Sequence, residues 1–239
     1  MGRVFLVRHA QASFLAANYD KLSAVGEVQA RRLGEFWAQH KIAFDRVCSG
    51  PAARHLNTAA IASEAYARSG RTLPQPIVLG EFDEFQGDAM LERNLPQLLK
   101  NDTRIHKLHA AFQNSSSEKD RHNNFQRLFE AVVTMWVEGQ IVVDNVESWP
   151  EFCARVNRGL SKFLSNGRSG EQVAIFSSGG PIGVAVQRAL HLSALDTLRV
   201  AWMARNCSYS EFLFSGTRLT LSTFNSFPHL DDESFHTYR

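Results

Sequence analysis

Val4-Phe5-Leu6-Val7-Arg8-His9-Ala10-Gln11 is the stretch that decides the fold: four apolar residues running straight into an arginine and a histidine. The run is too short to cross a bilayer and suits a fully buried strand. In open parallel sheets ligands sit just beyond the carboxyl ends of the strands, so Arg8 and His9 fall where a site is expected. A guanidinium suits phosphate or carboxylate, and an imidazole beside it can serve as base, ligand or nucleophile. Taken alone, such a dipeptide is more often a solvated strand end than a catalytic pair.

Outward from this strand, 239 residues with 44% hydrophobic and 21% charged side chains describe an ordinary globular chain of one domain. A formal net charge of +2 gives no broad basic field, so nucleic acid is not an expected partner. Cys48, Cys153 and Cys207 lack both metal-ligand and disulfide-framework spacing and read as free thiols of a reducing compartment. Arg8 ends the first apolar run and no later one is long enough to span a membrane, which makes the cytoplasm the expected location and a membrane an unexpected partner.

After a loop over Gln11–Leu22, Ser23 is the expected N-cap of a helix with Glu27 in its first turn and Ala30, Leu33 and Trp37 on one face. Phe44–Cys48 reads as a second strand. Ser49-Gly50-Pro51 then turns the chain, and Pro51 suits the first turn of a helix holding Arg54, Thr58, Ile61 and Tyr66. A cation near a helix N-terminus opposes the dipole, so Arg54 either meets an anion there or is a plain surface arginine. Ile77-Val78-Leu79 is a third apolar run, breaking into Gly80-Glu81-Phe82-Asp83-Glu84.

From Leu95 to about Val137 the pattern is helical, with an apolar stripe from Phe125 to Val137. The polar run Gln113–Asp120 has the composition of a mobile loop. His106, His109 and His122 lie in this region without matching carboxylates or thiolates, so no metal site is expected. Ser148-Trp149-Pro150-Glu151 is a capping box opening a helix with Phe152, Val156, Leu160 and Phe163 inward. Val173–Phe176 then leads into Ser177-Ser178-Gly179-Gly180-Pro181-Ile182-Gly183, where strand, glycine turn and helix N-terminus coincide. Such a turn either cradles an anion or needs positive φ. It is neither a Rossmann fingerprint nor a Walker loop. Tyr209–Phe214 and Leu219–Phe224 read as a terminal hairpin, and the tail from Asp231 as loose.

Four strand ends thus offer Arg8-His9, a turn leading to Arg54, Glu81, and the Ser178-Gly179 turn. The ordered set also includes Leu-Ser-x-x-Gly-x-x-Gln-Ala at 22–30, Phe-Asp-x-Val-x-Ser-x-Pro-x-x-Arg-x-x-x-Thr-Ala at 44–59 and Leu-x-Glu at 79–81. Arg155-Val156, Ser-x-Gly-Gly-x-Ile at 177–182, Asn225 and His229-Leu230 complete it. In this order the chain resembles the histidine phosphatase superfamily, also called phosphoglycerate mutase-like. The resemblance implies an α/β fold: a three-layer α/β/α sandwich with a mostly parallel central sheet, a helical insertion over about 90–145 forming a cap, and a C-terminal β-hairpin, in a single domain over 1–239.

It also implies that His9 is the nucleophile that takes a phosphoryl group, that Arg8, Arg54, Ser178 and Gly179 bind phosphate, and that Glu81 protonates the leaving oxygen, with Glu84 in reserve. To act as an acid near neutral pH Glu81 needs a raised pKa, expected from partial burial and nearby phosphate. Neither metal nor cofactor is expected, because two guanidiniums supply the charge that phosphoryl transfer asks for. Where the family carries a second histidine, in Ser-His-Gly, this chain has Ser177-Ser178-Gly179; Ala10, Ala12 and Asn57 are smaller departures, with Ser13 the nearest replacement for a hydroxyl at 12. The expected function is a metal-independent phosphomonoesterase, weakened or specialised by Ser178, acting on a small phosphorylated molecule. The competing expectation is a phosphate-ligand binding or regulatory protein, in which Ser178→His would restore hydrolysis. Edge strands of the hairpin make a homodimer possible.

Overall fold

The apolar run at the N-terminus forms β1 (Gly2–Arg8), with Val4 to Val7 buried, and every other strand is arranged around it. The computed structural model describes residues 1–13, 20–142 and 144–238. Their element order continues with α1 (Ala24–Gln39), β2 (Arg46–Ser49), α2 (Ala53–Ala67), β3 (Ile77–Val78), α3 (Gly87–Asn101), α4 (Thr103–Gln113), α5 (Glu118–Val137) and α6 (Trp149–Asn166). It ends with β4 (Gln172–Ser177), α7 (Gly179–Leu190), α8 (Ala194–Met203), β5 (Tyr209–Ser215) and β6 (Arg218–Ser226). Two compact units result, residues 1–84 with 154–239, and residues 85–153.

The first unit holds the whole sheet, in the order β3-β2-β4-β1-β5-β6. β1, β2, β3 and β4 are mutually parallel, while β5 and β6 add an antiparallel hairpin to the other side of β1. On one face, Phe5, Val7, Val47, Ala174 and Phe176 pack with Ala30, Leu33 and Trp37 of α1 and Ala59, Ala62 and Tyr66 of α2. The alternate residues Val4, Leu6, Val173 and Ile175 are also buried, as the period of two requires for a sheet covered on both sides. There α7 packs against β1 and against α8, and Arg188 of α7 hydrogen-bonds to Ser161 of α6 at 3.0 Å. β3 is an edge strand and leaves Ile77 and Val78 exposed.

Local signals set the element ends. The Ser23 hydroxyl accepts from the Gly26 N–H at 3.0 Å, making it the N-cap of α1. The loop over Gln11–Leu22 is described at its two ends, where Ala12 bridges Leu22; residues 14–19 lie outside the described residues.

The second unit contains α3, α4, α5 and the first residues of α6. The apolar stripe of α5 is buried at Leu128, Phe129, Val132, Val133, Trp136 and Val137. The polar run expected to be a mobile loop is instead mostly helix end and cap: the Ser115 hydroxyl donates to Phe112 O at 2.9 Å, and Ser117 caps α5 through Asp120 N at 3.0 Å. The capping box also forms, with Ser148 N donating to a Glu151 carboxylate oxygen at 2.7 Å and Glu151 N to the Ser148 hydroxyl at 3.4 Å. Among the described residues no helix is long and apolar enough to cross a membrane.

Two further expectations change. The tail from Asp231 is docked: the Gln29 amide donates to Phe235 O at 2.7 Å, and Asn206 N donates to Thr237 O at 2.8 Å. Gly179 and Gly183 are helical residues of α7, and a Cβ on either would lie within 2.9 Å of a carbonyl oxygen of α8, Ala201 or Thr197. Close helix packing, not positive φ, is what these glycines serve.

Candidate active site

Parallel register gathers the strand ends. Arg8 lies opposite Ser177, Ser49 opposite Phe176, and Ser49 opposite Val78. The segments that follow, His9, Gly50 to Arg54, Gly80 to Glu84 and Ser178-Gly179, therefore leave the sheet along one edge.

His9 is 5% exposed and fixed through its backbone: its N–H donates to Ser177 O at 2.8 Å, and its carbonyl accepts from Cys207 N at 3.1 Å and the Asn206 amide at 3.3 Å. Nδ1 of the ring lies 2.8 Å from Ala10 O, a group that can only accept. Nδ1 therefore carries the proton and Nε2 the lone pair. Burial, reinforced by the positive charges of Arg54 and Arg8 and by His55, holds the pKa of His9 well below the ordinary imidazole range. The ring is neutral at pH 7, with its nucleophilic nitrogen bare.

Arg54 stands at the second position of α2. The anion that its place against the helix dipole calls for is Asp20, whose carboxylate accepts from Ala53 N at 2.7 Å and from the Arg54 guanidinium at 2.8 Å. Burial pushes the Asp20 pKa up, but the Ala53 N–H and Arg54 outweigh it and hold the group below the usual carboxylate range. Thr58 ties this helix to the loop after His9: its hydroxyl accepts from Ala10 N at 3.0 Å and donates to Arg54 O at 2.6 Å. Arg8 donates to Ala204 O, the residue that ends α8.

Ser178 is the N-cap position of α7 and is fully buried. Its hydroxyl lies 2.6 Å from Nε2 of His55 and 3.5 Å from the second terminal nitrogen of Arg54. The His55 ring is itself buried, centred 5.6 Å from that of His9. Burial and the neighbouring Arg54 lower the His55 pKa to about 3, against an opposing pull from Asp20, so it is neutral.

The carboxylates after β3 separate. Glu81 lies against α6, paired with Lys162, and that hydrogen bond holds its pKa below the usual value, opposite to the rise expected for an acid. Asp83 is the one pushed up, by burial, against the pull of the Glu84 N–H, Arg54 and Arg155. Glu84 accepts from Gly180 N at 3.2 Å, on the first turn of α7. Arg155 of α6 holds the segment, donating to Gly80 O at 2.9 Å, Glu81 O at 3.1 Å and Asp83 O at 3.1 Å.

The structure thus brings His9, Arg54 and Ser178 together, places Arg8 close enough to depress the His9 pKa, and turns Glu81 toward Lys162. Linear reading misses Asp20, His55 and Asp83. Asp20 lies in a loop without a pattern. His55 occupies what reads as a variable helix position, although its direct succession to Arg54 was a usable signal. Among the described residues no three His, Cys, Asp or Glu side chains group to hold a metal ion.

The family model for the histidine phosphatase superfamily (branch 1) matches residues 4–86 and 112–226. No curated protein sequence matches the chain. Among solved structures, the α-ribazole phosphatase of Shigella flexneri is 21% identical, with 94% of this chain and 96% of that one covered and a TM-score of 0.63. A mycobacterial glucosyl-3-phosphoglycerate phosphatase, complexed with VO3, is 16% identical over 94% and 98% of the two chains with a TM-score of 0.61. A phosphoglycerate mutase from Bacillus anthracis is 16% identical over 95% and 94%, with a TM-score of 0.58.

Proposed function

Because this chain belongs to the histidine phosphatase superfamily, we propose that it is a phosphomonoester hydrolase working through a phosphohistidine at His9. The observation that carries this reading is the His9 ring: Nδ1 is committed to Ala10 O, and Nε2 is neutral and unprotonated beside two guanidiniums. The Nε2 lone pair attacks phosphorus as the bond to the leaving oxygen breaks, and that oxygen takes a proton from a carboxyl of the Glu81–Glu84 segment. Water then attacks the phosphohistidine as the P–N bond breaks and gives a proton back to the same carboxylate, which releases inorganic phosphate and returns His9 and the carboxyl to their starting forms.

Arg8 and Arg54 supply the positive charge around the equatorial oxygens, which supports a reaction needing no metal. Gly179, in the first turn of α7, offers an N–H toward the same oxygens. Ser178 stands where the family motif carries its second histidine. One hydroxyl in that place is expected to lower the rate by about a hundredfold to a thousandfold relative to a site with the full donor set.

The test is chelator-resistant turnover of p-nitrophenyl phosphate, with acid-labile radiolabel trapped on His9 in a quenched reaction and both lost in His9→Ala. Phosphate-dependent thermal stabilisation without turnover over a broad substrate panel would instead identify a phosphate-binding protein of the same fold. Comparing Glu81→Gln, Asp83→Asn and Glu84→Gln identifies the acid. The true donor loses far more rate on an alkyl phosphate, whose leaving oxygen needs the proton, than on an aryl phosphate.

A further inference from the structure

His55 is a buried histidine whose ring bonds to a residue of the site: Nε2 lies 2.6 Å from the Ser178 hydroxyl, while Nδ1 is buried without a hydrogen-bond partner among the described residues. Gly50 makes room for that nitrogen, since a Cβ there would lie 2.5 Å from Nδ1. Among the described residues the ring is held by fit and not by a second hydrogen bond.

Two arrangements satisfy the short contact. If the serine donates to Nε2, the imidazole proton must sit on Nδ1, where it is buried with no acceptor. If Nε2–H donates to the serine, Nδ1 is left as a bare lone pair beside Gly50, and no N–H is stranded. Arg54 fits this second arrangement as well, because a guanidinium can only donate, its second terminal nitrogen lies 3.5 Å from the same hydroxyl, and a hydroxyl oxygen has two lone pairs to receive both donors. The serine oxygen then accepts from two donors, and its own proton points away from both. Donors placed behind a hydroxyl polarise it and strengthen the bond that it gives in turn.

Resting on the phosphatase reading above, we infer that His55 is a positioning residue: its Nε2–H holds the Ser178 hydroxyl so that this hydroxyl donates to an oxygen of the phosphoryl group under attack by His9. The imidazole missing from position 178 is thereby replaced by a two-part donor, a hydroxyl from the end of β4 oriented by a ring from α2. No bond is made or broken at His55 or Ser178, and no proton leaves either.

Two measurements on the intact chain test this. Nitrogen-15 NMR of histidine-labelled protein reads the tautomer without any need for turnover: protonation of His55 at Nε2 is expected, and protonation at Nδ1 overturns the assignment. Kinetics with p-nitrophenyl phosphate then compare His55→Leu, which keeps bulk and loses the donor, with His55→Gln, whose amide nitrogen can reach the serine. His55→Leu is expected to lower kcat by about tenfold to a hundredfold with little change in KM and to weaken inhibition by orthovanadate. His55→Gln should recover most of the loss, and in a Ser178→Ala background His55→Leu should cost nothing more. Equal losses in Leu and Gln variants with unchanged melting temperatures, or full additivity with Ser178→Ala, overturn the role. Wild-type protein that neither turns over substrate nor binds orthovanadate defeats the phosphatase reading itself, and the tautomer still decides how Ser178 is held.

Discussion

Asp20 is the residue on which the charge state of the site turns. Its carboxylate accepts from the Ala53 and Arg54 N–H groups at the start of α2 and neutralises part of the Arg54 guanidinium, so a phosphate reaching Arg54 shares it with an anion already in place. Asn offers one acceptor oxygen where Asp offers two, so Asp20→Asn removes the charge and turns an amide NH2 toward one of the donors that the carboxylate receives. It is expected to tighten inorganic phosphate binding several-fold by calorimetry and to lower unfolding free energy by about 1–3 kcal/mol through the unmet donor. Weaker phosphate binding would mean that Asp20 orients Arg54 more than it competes for it. Arg8, His9 and Arg54 could be read from the linear sequence because each stands at the end of a strand or just after a turn with its own local signature. Asp20 could not, because its role exists only once a distant helix N-terminus lies against it.

At the scale of elements, the placing of α2 matters most, since one helix carries Arg54, His55 and Thr58. Its seating on α1 depends on the close approach at Gly34, where a Cβ would lie 2.1 Å from Ala62 O. Gly34→Ala must push the helices apart, with an expected cost of about 1–3 kcal/mol in urea unfolding and a weaker orthovanadate complex as Arg54 withdraws from His9. Unchanged affinity in a destabilised variant would show that the loop after His9, held through Thr58, positions the helix by itself. The sequence announces α1 and α6 through their serine caps and apolar spacing. It does not announce α8, whose cap Ser193 and following Asp196 form a local signal that becomes telling only beside the α7 glycines it packs against.

Over the whole molecule, three histidines are buried in the neutral form. Burial lowers His9 well below the ordinary range, His55 to about 3 and His229 to about 4. An unfolded chain protonates each near pH 6.5, so between that pH and the folded values it binds more protons than the native state, and stability falls as pH falls. Urea midpoints are expected to drop between pH 7 and pH 5, each histidine contributing up to about 1.4 kcal/mol per pH unit below 6.5, and His55→Gln should flatten the profile. The docked tail makes a second long-range demand. Thr237 donates to the Asn206 side-chain oxygen at 3.0 Å, and the Asn206 amide donates to the His9 carbonyl. Thr237→Val leaves a buried acceptor unmet, with an expected loss of about 1–3 kcal/mol in thermal or urea unfolding and a lower kcat.

What the sequence determined by itself is the set of groups that leave the sheet: an apolar strand ending in Arg8-His9, a turn before Arg54, and a serine-glycine turn after β4, because strand, turn and cap preferences are local. Only the tertiary structure decided which of these groups pair. Register across four parallel strands sets which side chains meet, and burial fixes the protonation of the histidines among them. Through these long-range effects Glu81 meets Lys162, Asp20 occupies the anion position of α2, and His55 stands behind Ser178.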